Sequence, residues 1–263
     1  MLVDSHCHLN YGGLADDLDG VLERGRAAGI GRFLTINTRL DEFADVYAIA
    51  ERYADVACTV GIHPHEAAKA QAISAEDIAA RADDPLVAGI GESGLDYYYD
   101  NAPREAQRES FRKHIAAAQK TGLPLVVHSR EAEDDTAELL REGLEQGPLK
   151  AVMHCFTGSR AMMAAMVELG FFISLSGIVT FKNATELQET AKAVPAERLL
   201  VETDSPFLAP VPHRGRPCEP AYVADTARFV AELRGIGEDE LAALTTENFF
   251  RLFERVPKPA GTA

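Results

Sequence analysis

Gly122-Leu123-Pro124-Leu125-Val126-Val127-His128 is the stretch on which the fold turns. Upstream of it, Arg104–Lys120 keeps the spacing of an amphipathic helix. Gly122 and Pro124 stop that helix, because glycine accepts the left-handed turn after a last helical residue and proline cannot continue the ladder. Leu125–His128 is then a short apolar run of strand length. Helical spacing resumes near Asp134–Leu144.

The same alternation extends in both directions. Toward the N-terminus, strands are expected at Leu2–His8, Gly31–Asn37, Val56–His63 and Leu86–Glu92. Helices are expected between them at Leu14–Ala28, Glu42–Tyr53 and Ala75–Ala82. Toward the C-terminus, strands at Lys150–His154, Phe171–Ser176 and Leu199–Asp204 are interleaved with helices at Arg160–Leu169, Ala184–Ala193 and Pro220–Leu233. Glu240–Phe253 is one helix more than the pattern needs. Regular alternation means parallel strands joined by crossover helices. Eight units favour closure, so the expectation is an α/β fold, a (β/α)8 TIM barrel with an extra C-terminal helix. No linker composition interrupts the run. One domain over residues 1–256 is expected, with Pro257–Ala263 as a loose tail.

Bulk properties narrow the function. The 263 residues are 46% hydrophobic, enough for a large core. With 26 Lys and Arg against 41 Asp and Glu, the net charge is −15, which argues against a protein that coats nucleic acid. A local cationic pocket remains compatible, and bound divalent ions invert the sign of a site. Cys7, Cys58, Cys155 and Cys218 form no C-x-x-C, and no export signal precedes them. Reduced thiols in a cytoplasmic protein are expected. No apolar run reaches the ~18 residues of a spanning helix, so no membrane association is expected.

The chemistry gathers at strand ends. His6-Cys7-His8 puts two imidazoles on one face of a strand and the thiol on the other. That pair alone is as readily packing as ligation. Glu92, His128, His154 and Asp204 then close the strands expected fourth, fifth, sixth and eighth. Active sites of such barrels lie at that rim, and charged groups are rarely buried there without a partner or a metal. Six ligands exceed what one tetrahedral ion with an open position takes. They suit two divalent ions sharing a carboxylate, with Glu92 as the bridge. Imidazole favours Zn, Mn, Fe or Ni over a purely Mg site. Asp204 is expected both to bind an ion and to take a proton from water. His63 and His65, in Gly61-Ile62-His63-Pro64-His65, are candidates for acid catalysis or phosphate binding. Arg130, Arg214 and Tyr97 are candidate substrate contacts, since arginine forks match phosphate and an exposed aromatic can stack on a base. Asp4 and Glu202 are expected to orient the ligands from behind. The cysteines beside the ligands are expected to point away from the site.

These residues sit in motifs that resemble the TatD-type metal-dependent deoxyribonucleases over nearly the whole chain. The motifs are Asp4-Ser5-His6-Cys7-His8, Gly61-Ile62-His63-Pro64-His65, Gly91-Glu92-Ser93-Gly94-Leu95-Asp96 and Pro124-Leu125-Val126-Val127-His128-Ser129-Arg130. His154-Cys155-Phe156-Thr157-Gly158, Glu202-Thr203-Asp204-Ser205-Pro206 and Pro212-His213-Arg214-Gly215 complete them. The resemblance implies a TIM barrel, two divalent ions on the same six positions, and hydrolysis of DNA phosphodiesters, often from a 3′ end. It adds Mg to the list of metals. Related barrels with a carbamylated lysine bridge are set aside, because that place holds Glu92. A small-molecule amidohydrolase or esterase on the same barrel is the alternative, since fold alone does not choose a substrate.

Overall fold

The computed structural model describes residues 1–259. Its strands are β1 (Leu2–Cys7), β2 (Ile30–Thr35), β3 (Val56–Val60), β4 (Val87–Asp96), β5 (Leu125–Arg130), β6 (Ala151–Met153), β7 (Phe172–Leu175) and β8 (Leu199–Val201). The helices are α1 (Leu18–Ala27), α2 (Phe43–Arg52), α3 (Ala75–Arg81), α4 (Arg104–Thr121), α5 (Glu133–Gln146), α6 (Arg160–Glu168), α7 (Thr185–Ala193), α8 (Val223–Arg234) and α9 (Glu238–Leu252). The strands form one parallel sheet in sequence order, β1 to β8, wrapped by helices. This is the expected barrel with its extra C-terminal helix. Gly122 closes α4 in the left-handed conformation at φ 71°, as its position after the helical run predicts.

The ladder closes differently at β8 and β1. One isolated parallel bridge, Cys7 to Ser205, joins them. The His8 and Asp204 amides add bonds to the Ser205 and His6 carbonyls at 2.8 and 2.9 Å. Below that, side chains stitch the seam. Ser5 Oγ donates to the Val201 carbonyl at 2.9 Å. Asp4 accepts from the Thr203 amide at 2.9 Å and from its hydroxyl at 2.6 Å. Burial pushes the Asp4 carboxyl up to about 8, against the pull of those bonds. Asp4, expected to orient the ligands from behind, lies two residues before His6. Val3 packs in the barrel interior, and the register shifts between Asp4 and Cys7, so strict alternation fails and Asp4 turns to the seam.

Two apolar layers result. Between strands and helices lies the larger core, with Val21, Leu22, Phe111, Leu140 and Phe171 among its members. Inside the barrel, each strand contributes one residue to a ring: Val3, Leu34, Ala57, Ala88, Val126, Val152, Phe172 and Leu200. Phe249, Phe250 and Phe253, on and just past α9, plug the base of that ring. Apolar filling therefore ends below the rim where the strands point their C-termini. The Pro257 carbonyl, where the loose tail was expected to begin, accepts from Arg32 at 3.0 and 3.2 Å. Residues 260–263 of that tail lie outside the described residues.

Candidate active site

A cavity of about 780 Å³ opens at the C-terminal strand ends, with His8, Glu92, His128, His154 and Asp204 in its wall. Its floor is a packed set of imidazoles and carboxylates. His6 and His8 face the same way, with their Nε2 atoms 3.3 Å apart, while Cys7 packs in the outer core. Glu92 lies at the centre. Its Oε2 is 3.3 Å from His6 Nε2 and 3.9 Å from His8 Nε2. Its Oε1 is 2.7 Å from His154 Nε2, 2.9 Å from His128 Nδ1 and 3.4 Å from His63 Nε2. Asp204 Oδ1 completes the first side, 3.3 Å from His8 and 3.5 Å from His6. One carboxylate thus turns one oxygen to each of two imidazole groups.

That packing fits a pair of divalent ions. His128 Nδ1 and His154 Nε2 approach to 3.3 Å, and the His6 and His154 rings stack at 3.9 Å. His6 Nδ1, His8 Nδ1 and Glu202 Oε2 are buried without a hydrogen-bond partner, an unusual cluster for a protein interior. Groupings with metal-ligand spacing are His6–His8–Glu92, His63–Glu92–His128 and His6–His154–Glu202. Nitrogen and oxygen donors of this kind suit Zn, Mn, Fe or Ni. The clusters are those of a binuclear divalent-metal site.

Electrostatics hold the carboxylates charged. Burial alone would raise Glu92, but the His154 charge and the hydrogen bonds from His128 and His154 outweigh it and hold the carboxyl well below its usual range. Asp204 is likewise lowered: burial opposes, and the His8 bond with the His6 and His8 charges prevails. Asp204 is also the most open of these acids, 14% exposed against 3% for Glu92. Burial drives the His63 imidazole down to about 4, so it stays neutral.

Two further carboxylates orient the rings. Glu202 lies 3.2 Å from His154 Nδ1 and accepts from the Cys155 amide at 2.7 Å. Asp96 Oδ2 lies 3.2 Å from His128 Nε2 and 2.9 Å from His65 Nε2. Asp96 Oδ1 in turn accepts from the Tyr98 and Tyr99 amides at 3.1 and 2.9 Å. Sequence reading missed Asp96 because it ended the fourth strand at Glu92. The strand runs on to Asp96, and period two would have put both acids on one face. Gly91 makes that path possible. It sits at φ 124°, and a Cβ there would come within 2.6 Å of the Val126 carbonyl oxygen.

Other expectations fare differently. His63, His65 and Arg130 line the cavity. Tyr97 does not; its hydroxyl is spent on Asp135 at 2.5 Å and its ring lies under Arg104. Tyr99 takes the place at the wall, and Arg130 stacks over Tyr98 and Tyr99 at 4.2 and 4.8 Å. Arg214 also lies outside the lining, its guanidinium over Phe181 at 3.6 Å. Cys155 was expected to point away, yet it joins the cavity wall. Its backbone is left-handed at φ 42°, which breaks the alternation after His154. Its thiol contacts Ser176 Oγ at 3.1 Å, and burial pushes its pKa far up, so it is no thiolate. Asp204 reaches the site from beyond β8, through a positive φ of 57°.

The family model of TatD-related DNases matches residues 3–254. The metal-dependent hydrolase YcfH of Escherichia coli K12, itself uncharacterized, is 42% identical over 255 residues, covering 96% of this chain and 95% of its own length. The 3′-5′ ssDNA/RNA exonuclease TatD of Klebsiella pneumoniae is 36% identical, covering 96% of this chain and 97% of its own. The crystal structure of the E. coli TatD homolog YjjV superposes with a TM-score of 0.90 at 30% identity, over 97% of this chain and 98% of that one. Family model, relatives and structure agree along the whole barrel, so the chain belongs to the TatD-related DNase family of metal-dependent hydrolases.

Proposed function

We propose that the chain removes nucleotides from the 3′ end of single-stranded DNA, with His6, His8, Glu92 and Asp204 holding one divalent ion and Glu92, His128 and His154 the other. The observation that carries this reading is Glu92, whose two oxygens face separate imidazole groups. The Klebsiella relative named as a 3′-5′ ssDNA/RNA exonuclease supports the substrate and polarity. When bound, the ions supply Lewis acidity that lowers the pKa of a water and offsets charge on the scissile phosphate. Asp204, held ionised and partly open, takes the proton of the attacking water. His63, neutral and 15% exposed beside Glu92, hydrogen-bonds the phosphate or the leaving oxygen. His65 and Arg130 orient the phosphate from the cavity wall, and Tyr99 offers a ring to the terminal base. Asp96 and Glu202 fix the rings of His128 and His154.

No helix among the described residues is long and apolar enough to cross a membrane. The unpaired cysteines fit a cytoplasmic enzyme. The decisive experiment follows a 5′-labelled single strand with Mn²⁺-loaded protein. Stepwise shortening that stops on chelation is expected. Internal cuts, or an intact strand, would overturn the reading.

A further inference from the structure

A net charge of −15 makes each unneutralised cation informative. Many basic residues are tied locally. Arg24 pairs with Asp17 and Glu219, Arg26 with Asp55, and Arg108 with Asp135 and Glu138. Arg234 and Arg255 cap backbone carbonyls. Among the described residues, Arg130, Arg160, Lys182 and Arg216 have neither a carboxylate nor a hydrogen-bond partner, and all are exposed. Arg141 on the outer wall and Lys258 over the Phe250 ring share that condition.

The first set shares one place. Arg130 ends β5, Arg160 opens α6, Lys182 follows β7, and Arg216 follows β8. Arg214 stands with them, held by one long bond of 3.3 Å to the Ala209 carbonyl. All therefore lie at the strand C-termini, on the β5–β8 half of the rim. The opposite half is neutralised: Arg39 bonds Asp41 at 2.7 Å and Lys69 bonds Glu66 at 2.7 Å. The cationic arc is continuous with the active site. A side cavity of about 270 Å³, lined by Arg130, Thr157 and Gly158, opens from it between the β5 and β6 loops. Glu133, beside that cavity, is engaged by the Ser159 amide and hydroxyl at 2.6 Å; Glu131, Asp134 and Glu186 are exposed acids on that half, against five cations. At the β8 lip, Phe207 lines the main cavity and is 49% exposed.

We propose that the β5–β8 half of the rim is a track for the polynucleotide beyond the cleaved linkage. From Arg130 at the centre outward, Arg160, Lys182, Arg214 and Arg216 contact successive phosphates, and Phe207 stacks a base where the strand leaves the cavity. The inference rests on the nuclease reading and adds that long strands are preferred and approach from one side. Cations that neutralise phosphates release counterions, so binding through them weakens with salt by about 0.7 log units per contact and log unit of salt on single strands. Aromatic rings add sequence-tolerant stacking.

The test is the triple variant Arg160→Gln, Lys182→Gln, Arg216→Gln, with Arg141→Gln as control. KM is measured for an oligothymidine of about twenty nucleotides and for a thymidine dinucleotide, across roughly 50 to 200 mM salt. For the long strand, KM should rise roughly 10- to 100-fold at the low end, and the salt slope should fall by about 2. The dinucleotide KM should change by less than about threefold, since it spans no phosphate beyond the centre. Arg141→Gln should match the parent. A parental slope and KM on the long strand would overturn the track while leaving the nuclease standing. So would equal effects on both substrates. A parent that releases nucleotides from neither would overturn both.

Discussion

The two ends of this barrel are made of opposite materials from the same eight strands. At the base, Phe249, Phe250 and Phe253 plug a ring of one aliphatic or aromatic side chain per strand. At the mouth, Glu92, Glu202 and Asp96 are almost as buried, yet each is surrounded by imidazoles or amides. Burying apolar surface stabilises on its own. Burying carboxylates costs free energy unless charges or metals offset it. The base therefore stabilises the scaffold, and the mouth holds a set of groups that only its ligands make favourable. Substitutions should separate these roles.

The largest effect is expected at the mouth. Asp204→Asn should lower kcat by about 10²–10⁴-fold, the usual range for a lost general base, with circular dichroism and melting close to parental. A folded, metal-loaded variant with parental kcat would move the base to another residue. At the other end, Phe253→Ala removes a fully buried ring. Denaturant unfolding should show a loss of roughly 3–5 kcal/mol, with kcat of the folded fraction little changed. A strong loss of kcat there would break the division between the ends.

His114 sharpens the comparison, because it is buried and polar but belongs to neither end. It lies on α4, accepts from the Ile62 amide at 2.9 Å and donates to the Ser110 carbonyl at 2.7 Å. Burial lowers its pKa from 6.5 to about 4. Unfolded chains take up this proton near pH 6.5, whereas the folded protein does so only near 4. Stability is therefore lost as pH falls through that window, by up to roughly 3 kcal/mol from this group. His114→Gln should flatten that portion of the stability–pH curve, and superimposable curves would refute the assignment. The smallest effect is expected for Asp96→Asn. Weakening the partner of His128 should reduce metal affinity about 10–100-fold, seen by titration with a chelator, without changing thermal stability of the metal-free protein by much.

Much of this division was legible in the residues. Alternating short and long apolar runs gave the strand and helix order, and His6, His8, Glu92, His128 and His154 each fell near a strand end. What was not legible came from backbone that leaves strand periodicity. Asp4 turned to the seam because β1 slips in register. Cys155 turns into the cavity wall through a positive φ angle. Asp96 was hidden because Glu92 looked like the end of its strand. Tyr97 and Tyr99 could not be ranked from sequence, since side-chain direction after β4 depends on Asp96 collecting the following amides. Each miss is one of local backbone path, which composition and spacing do not encode.

The stitched seam carries a further consequence for the timing of synthesis. A nascent chain that has emerged through α5 already displays His6, His8, Glu92 and His128, but it lacks β6, β7 and β8, three of the eight strands of the wall. Thr203 must leave the ribosome and dock on Asp4 before Asp204 can meet His8. A chain cut short by a premature stop would thus carry most of its ligands on an open, half-made sheet. The full ligand set of this hydrolase comes together only after translation has delivered the chain through Asp204.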